Sequence, residues 1–323
     1  MNRASTASSA LELEPANGTF LAEAIAGLSS SPRTLPCKFF YDERGSDLFQ
    51  KICELPEYYV TRTELQILKT HGHDIAKQLG RGIELIGLGT GAGTKTRLLL
   101  DELEEPVAYV PVDISGEQLQ QSSALFRKLF PDLEVLPVCA DYLRPVALPT
   151  PKRTPTRKVV YFPGSTIGNF EPDIALDFLR RIRRVCGDDG GLLIGVDLQK
   201  AHDVLERAYN DAQGVTAQFN LNLLTRLNRE LGADFDLDHW RHRAIYNAEA
   251  GRIEMHLLSE RPQTIHLGDR EFHFERGETI VTEFSYKHTP EGFAAIAARA
   301  DFDLAHLWTD DARLFGVFYF TAR

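Results

Sequence analysis

The chain has 323 residues, enough for one large domain or two moderate ones around a well-buried core. Its 46 acidic against 36 basic residues leave a net charge of −10, which argues against nucleic acid as a partner and for a small-molecule substrate. Four scattered cysteines, Cys37, Cys53, Cys139 and Cys186, form no C-x-x-C pair; neither a zinc site nor a disulfide framework is expected, and they read as buried thiols in a reducing compartment.

The opening MNRASTASSALELEP lacks an apolar h-region, and no later run approaches the ~18–20 apolar residues that span a bilayer. Neither export nor membrane insertion is expected, and the location expected is cytoplasmic. Only the first dozen residues look disordered, and the sequon Asn17-Gly18-Thr19 reads as an accident of composition.

From Glu64 the pattern alternates. ELQILKTHGHDIAKQL is helix-periodic, IELIGLG strand-like, TKTRLLLDELEE helical and AYVPVDIS a strand. EQLQQSSALFRKLFP is then helical, LEVLPVCADY a strand, KVVYFPGSTIGN a strand, IALDFLRRIRRVC a helix and GGLLIGVDL a strand. This spacing predicts parallel β-α-β units with right-handed crossovers, hence a doubly wound sheet. The segment PTPKRTPTRK is a surface loop. After Lys200 two helices are expected in HDVLERAYNDAQGVTAQFNLNLLTRLNREL. RIEMHLLS, QTIHL, REFHF and ETIVTEFSYK then alternate at period 2, as antiparallel strands do. The tail EGFAAIAARADFDLAHLWTDDARLFGVFYFTAR reads as one helix and two strands that complete the interrupted sheet.

The turn GLGTGAGTKTR, Gly87 to Arg97, brings four glycines within seven residues between strand and helix, so the backbone comes close to a ligand there. Gly87, Gly89 and Ala92 fit the dinucleotide spacing G-x-G-x-x-G/A. A phosphate loop nearly fits from Gly89 but fails at Thr94, where a glycine should precede Lys95. S-adenosylmethionine is the third candidate, and the loop alone does not decide. In an open α/β sheet the ligand sits at the carboxyl ends of the strands. Those ends carry Asp113, Asp141-Tyr142, Gly164-Ser165-Thr166-Ile167-Gly168-Asn169 and Asp197. Asp113 can take ribose hydroxyls in either cofactor, whereas a carboxylate at Asp141 suits an adenine amino group. The alternative at both is an aspartate that caps a turn. Taken with the glycine loop and the final strand pair, these residues favour S-adenosylmethionine over a nicotinamide.

The segments LPCKFFYDERGSDLFQKICELPEYYVTRTE, LGTGAGTKTRLLL, PVDIS, GSTIGN, AYNDAQGVTAQFN, ADFDLDHW, RIEM and TEFSYK resemble the histidine Nα-methyltransferase family, which forms hercynine in ergothioneine biosynthesis. The match runs from about Leu35 to the end, and FYD, PEYY, GSTIGN and TEFS together are highly specific. The resemblance implies an α/β, Rossmann-like class I methyltransferase with a seven-stranded sheet and an inserted α+β substrate-binding domain. The expected division is an N-terminal segment 1–62 joining the substrate-binding domain, a cofactor domain 63–199, a substrate-binding domain 200–287, and a completion of the sheet in 288–323.

It also implies S-adenosylmethionine held by Gly89, Gly91, Lys95, Asp113, Asp141 and Tyr142, with no metal. Gly87 stands where the family usually has an acidic residue. For the substrate it implies Glu283 and Ser285 on the imidazole with Tyr58 nearby, Met255 as an apolar wall, and Asn169 and Tyr209 on the α-carboxylate. Tyr41 and the Gly164 carbonyl stand near the α-amine; Tyr41, Asn169 and Gly164 are the orienting, catalytic set. Read from the residues alone, Glu283 and Ser285 share a strand face, but Met255 as core, Glu283 as a solvated face and Tyr58 as packing are the plainer readings. A monomer is expected. The rivals are a methyltransferase for another amino acid, a nicotinamide oxidoreductase and a non-catalytic cofactor-binding protein.

His71-x-His73 and His239-x-x-His242 have metal-like spacing but offer two ligands each, and exposed helix residues are expected at both. Asp234, Asp236 and Asp238 lack the glycine and distal glutamate of a calcium loop and are expected to cap a helix.

Overall fold

The computed structural model describes residues 17–89, 91 and 93–323. The opening segment expected to be disordered and Ala92 of the glycine turn lie outside the described residues.

Three helices come first: α1 (Asn17–Leu28), α2 (Glu43–Glu54) and α3 (Tyr59–Leu79). The start of α2 is set by Asp42, whose carboxylate accepts from the Gly45 N–H at 2.7 Å. The alternating part follows: β1 (Glu84–Leu88), α4 (Thr94–Glu102), β2 (Ala108–Asp113) and α5 (Gly116–Leu129), then β3 (Glu134–Val135), β4 (Val138–Cys139), β5 (Lys158–Phe162), α6 (Pro172–Cys186) and β6 (Gly191–Asp197). β1, β2, β5 and β6 are parallel neighbours buried on both faces, which is why they read as unbroken apolar runs. Helix α6 shows the matching helical logic: Pro172 opens it, Gly187 follows it at φ +70°, and Ala175, Leu176, Leu179, Ile182 and Cys186 form its buried face.

Past β6 come α7 (His202–Tyr209) and α8 (Val215–Leu231), then β7 (Trp240–Asn247), β8 (Arg252–Ser259), β9 (Gln263–Leu267), β10 (Arg270–Phe274) and β11 (Thr279–Tyr286). Helix α9 (Pro290–Ala298) and strands β12 (Phe302–Thr309) and β13 (Phe315–Ala322) end the chain. The central sheet runs β12-β13-β6-β5-β1-β2-β3, with β13 antiparallel to β6, so the C-terminal hairpin completes it as expected. The expected third strand is split into β3 and β4, both pairing with β2. Pro137 between them has no N–H to give to a ladder, and Leu136 donates to Tyr109 O at 2.9 Å instead. The strand expected through GSTIGN stops at Phe162; a 3₁₀ turn, Thr166–Asn169, follows.

A second sheet, β11-β8-β7, is antiparallel, and β9 and β10 form a separate hairpin. Helix α8 packs on β7 and β8 and also on α1 and α2. The two sheets meet where β6 and β11 end: His288 N donates to Asp197 O at 3.2 Å and Gln199 N to His288 O at 3.0 Å. Thr34 forms a bridge with Val281, and Leu35 N donates to Val281 O at 2.9 Å, which ties the N-terminal segment to β11.

Three expectations need correction. β7 occupies WRHRAIYN, so His242 lies on a strand and not in a helix; its Nε2 donates to Tyr209 O at 2.8 Å and its Nδ1 accepts from Asn220 Nδ2 at 2.9 Å. Asp236 precedes a 3₁₀ turn yet makes no side-chain cap; it binds His239 and Arg261, while Asp234 binds His266. Of the cysteines only Cys186 is buried, the other three being partly exposed.

Gly93 opens α4 at φ +77°, and a Cβ there would lie 2.7 Å from the Phe126 ring. Left-handed backbone and a packed aromatic both exclude a side chain. Gly93→Ala is expected to cost about 1–3 kcal/mol in denaturant unfolding; an unchanged midpoint would show that Phe126 yields without loss.

Candidate active site

The carboxyl ends of β1, β2, β4 and β5 converge on the glycine turn. Gly89 and Gly91 both have positive φ, and a Cβ on Gly89 would sit 3.3 Å from the Tyr142 ring. Asp113 ends β2; burial raises its carboxyl above the usual range, against hydrogen bonds from the Ser115, Gly91 and Ile114 amides. Asp141 Oδ1 accepts from Leu143 N at 2.9 Å, and Asp113 Oδ1 from Ser115 N at 3.0 Å. The turn-capping role is therefore present at both aspartates, and it fixes their carboxylates at the rim of the sheet. Tyr142 lies edge-on to Phe162 at 5.5 Å. Behind it a cavity of about 330 Å³ opens between residues 142–148 and α6, floored by Ile86, Leu88, Val112 and Val160.

Lys95, in the first turn of α4, is not free in the loop. Its Nζ stands 2.5 Å from Glu64 Oε2, and the same carboxylate accepts from Gly164 N at 2.9 and 3.1 Å. Glu64 comes from α3 and is fully buried. One carboxylate thus joins the glycine turn to the Gly164 loop, a link invisible in a helix that reads as amphipathic. Gly164 itself is at φ +82°, and Ser165 beside it is a buried non-glycine residue at φ +58°. That conformation costs of order 1–3 kcal/mol; it is held by the Ser165 hydroxyl, which accepts from Asp197 N at 2.9 Å.

Across the cleft, β11 carries a bulge. Val281 faces His256 and Glu283 faces Met255, so Thr282 is the extra residue. Its hydroxyl is tied off by Asn220 Oδ1 at 2.7 Å and Met255 O at 3.2 Å. Beyond the bulge Glu283 and Ser285 share one face. No donor among the described residues reaches the Glu283 carboxylate; burial raises its pKa to about 7, partly offset by Lys287. Ser285 Oγ lies 2.9 Å from Tyr209 Oη. The Tyr58 ring meets that of Tyr209 at 6.1 Å, and Tyr41 meets Phe49 and Phe219 at 5.5 and 5.8 Å. Tyr41 is 44% exposed. Burial first, then the charges of Glu283 and its other neighbours, push its hydroxyl well above the usual range; Tyr142 is among those neighbours.

Met255 is 2% exposed and is the cross-strand neighbour of Glu283. Asn169 ends the 3₁₀ turn half-exposed, its amide without a hydrogen-bond partner among the described residues. Gly168 beside it packs so closely on β11 that a Cβ would come within 2.8 Å of Tyr286 O.

Sequence reasoning missed the ionic centre behind this face. Asp197, at the end of β6, is fully buried and accepts from Tyr59 Oη at 2.8 and 2.9 Å. Lys200 stands 2.5 Å from its Oδ1 and Lys287 2.7 Å from its Oδ2. Burial works against ionising Asp197, but the two ammonium groups outweigh it and hold its pKa below the usual range. Lys200 is pulled down to about 8 by burial, against the attraction of Asp197. Lys287 closes the segment TEFSYK, two residues past Ser285, but sequence reasoning assigns it no role.

The donor set fits S-adenosylmethionine. Glycines without a Cβ leave room at the turn, one carboxylate ends β2 and another, Asp141, stands two residues past β4, and an aromatic ring follows. A doubly wound sheet closed by an antiparallel hairpin, with this loop and these carboxylates, defines a methyltransferase that uses S-adenosylmethionine. The family model described as "Histidine-specific methyltransferase, SAM-dependent" matches residues 20–322, and the chain belongs to that family. It is 41% identical over 299 residues to the "Histidine N-alpha-methyltransferase" of Mycolicibacterium smegmatis, covering 90% of this chain and 91% of that one. It is 38% identical over 300 residues to the protein of the same name from Mycobacterium tuberculosis, covering 91% and 92%. To "Ergothioneine biosynthesis protein 1" of Schizosaccharomyces pombe it is 30% identical over 281 residues, covering 84% of this chain and 36% of that one. Among the described residues no helix is long and apolar enough to cross a membrane, and no group of three or more His, Cys, Asp or Glu could hold a metal.

Proposed function

We propose that this chain transfers three methyl groups in succession to the α-amine of L-histidine, giving hercynine, as a cytoplasmic monomer. The observation that carries the substrate assignment is the partnerless Glu283 carboxylate standing over Met255 and beside the Tyr209–Ser285 hydroxyl pair. A carboxylate next to hydroxyls suits a ring that both donates and accepts hydrogen bonds, as imidazole does. Residues 200–287 with the N-terminal segment form the substrate-binding part, and 63–199 with 288–323 the cofactor part.

When bound, S-adenosylmethionine supplies an electrophilic methyl on a sulfonium. Gly89, Gly91, Lys95, Asp113, Asp141 and Tyr142 would hold it. Asn169 and Tyr209 take the α-carboxylate, while Tyr41 and the Gly164 carbonyl orient the neutral α-amine. The amine lone pair forms the N–C bond as the S–C bond breaks, its electron pair returning to sulfur. After the first and second transfers the surplus amine proton passes to water or a weak acceptor; the third leaves a quaternary ammonium with no proton to lose. No strong base is required, because alignment alone supplies roughly 7–11 kcal/mol of such a barrier. The trimethylated product has no N–H left for Tyr41 and Gly164, which favours its departure.

The decisive test is a mass-spectrometric scan of the purified protein with S-adenosylmethionine and each common amino acid separately. Three methyl groups on histidine alone are expected; methylation of another amino acid would overturn the Glu283 assignment and leave the cofactor reading standing. Tyr41→Phe is expected to slow at least one of the three steps about ten-fold. Single-turnover rates equal to those of the parent at every step would remove Tyr41 from the orienting set.

A further inference from the structure

A circuit of hydrogen bonds leaves β11 at its bulge and returns to it at Ser285. Thr282 Oγ donates to Asn220 Oδ1 at 2.7 Å. Asn220, on α8, gives its two Nδ2 hydrogens to His242 Nδ1 at 2.9 Å and to His256 O at 3.1 Å. His242, on β7, donates from Nε2 to Tyr209 O at 2.8 Å. The Tyr209 hydroxyl then lies 2.9 Å from Ser285 Oγ. Asn220 and Thr282 are both buried, so water does not replace these partners.

The direction of the bonds from Thr282 to Tyr209 is forced. His256 O and Tyr209 O are backbone carbonyls and can only accept. The first sets the Asn220 amide nitrogen towards itself and the amide oxygen towards the Thr282 hydroxyl. The second sets the ring hydrogen of His242 on Nε2 and leaves Nδ1 bare to accept. Burial lowers the His242 pKa, against the Tyr209 carbonyl and the charge of Asp211, and His256 adds to the lowering; the ring is neutral, as the circuit requires.

An extra residue is unpaired wherever it sits in a strand, so the ladder alone does not fix its place. On the Val281 side β11 is fastened by Arg33 O and Leu35 N, at 2.8 and 2.9 Å. On the Glu283 side the circuit fastens it. Moving the extra residue past Ser285 would turn Glu283 and Ser285 away from the face they share with Met255 and Ile253.

We propose that Asn220 is a positioning residue for substrate recognition: braced by His242, it pins the bulge at Thr282 and so keeps Glu283 and Ser285 turned into the cleft. This inference rests on the histidine reading given above, because the imidazole of the substrate is what those two side chains would meet.

The test removes the pinned hydroxyl and titrates L-histidine calorimetrically with S-adenosylhomocysteine present. Thr282→Val keeps the shape and loses the bond, and is expected to bind histidine about ten-fold more weakly. Thr282→Ser keeps the bond and should stay within about three-fold of the parent. In both, KM for histidine should carry the change, with kcat and S-adenosylhomocysteine affinity moving less. A double variant separates positioning from lost stability. Since the pin acts through Glu283, adding Thr282→Val to Glu283→Ala should cost about three-fold or less in kcat/KM. His242→Phe, at a half-buried place on β7, cuts the same circuit at its other end and should weaken histidine by a similar factor to Thr282→Val; it gives the reading if Thr282→Val is insoluble. Parent-like histidine affinity in either variant, equal losses in Thr282→Val and Thr282→Ser, or a ten-fold loss that persists beside Glu283→Ala overturns the inference. A parent chain that binds no histidine overturns the histidine reading instead.

Discussion

Asp197→Ala is expected to destabilise the protein by about 3–5 kcal/mol, more than any surface change, and to do so without touching a residue of the substrate or cofactor sets. The reason is an asymmetry of buried charge. A paired buried ion adds little net stability, but removing one partner leaves the other desolvated and uncompensated. Here one carboxylate serves two ammonium groups and a tyrosine hydroxyl. Lys200, already lowered to about 8, can shed its proton. Lys287 is held charged chiefly by Asp197 and must either lose its proton or open the seam between the two sheets. The sign with pH follows. Asp197 has a folded pKa below its unfolded one, so its contribution is present above the ordinary carboxylate range and fades as pH falls through the lowered value. Denaturant titration at neutral pH checks the prediction; a loss under 1 kcal/mol would show that water reaches the lysines.

Glu283→Ala is expected to lower kcat/KM for histidine about 100-fold, mostly through KM, and to erase preference for histidine over amino acids of similar size. The carboxylate must be ionised to accept the ring N–H. Its pKa of about 7 places that requirement inside the working range. Histidine affinity should therefore be full above pH 7 and decline as pH falls through it, and Glu283→Gln should lose this dependence. Calorimetric affinities between pH 6 and 9 decide the point. An identical pH profile in parent and Glu283→Gln would assign the titration to another group.

Most of the central sheet is legible in the sequence because parallel strands buried on both faces leave unbroken apolar runs, as in Leu85 to Leu88 and Leu192 to Val196. β7 is not, since WRHRAIYN has exposed or half-exposed residues at most positions and resembles a polar helix end. Helices α1 and α2 escape because they bury themselves against α8, some two hundred residues on. At the site, Asp113, Asp141 and the glycine turn follow from their places at strand ends, and Glu283 and Ser285 from their shared parity. Glu64 and Lys287 do not, and of Asp197 only the place at a strand end is legible, not the ion pairs it makes. A buried carboxylate between Lys95 and the Gly164 amide is a product of tertiary packing across 31 and 100 residues of chain, and no local pattern announces it.

The bulge at Thr282 acts as a change of reading frame within β11. Before it, Ile280 occupies the face opposite Leu257; after it, Glu283 and Ser285 occupy that same face opposite Met255 and Ile253. The face is otherwise hydrocarbon, and the one-residue slip is what lets polar groups enter it. On the proposed substrate assignment, single replacements at 255, 283 or 285 would change the substrate range while the frame is kept. Deleting Thr282 would leave a regular ladder with Glu283 still opposite Met255, whereas a full-length strand paired without the slip would set Glu283 opposite Glu254 and turn the whole face over.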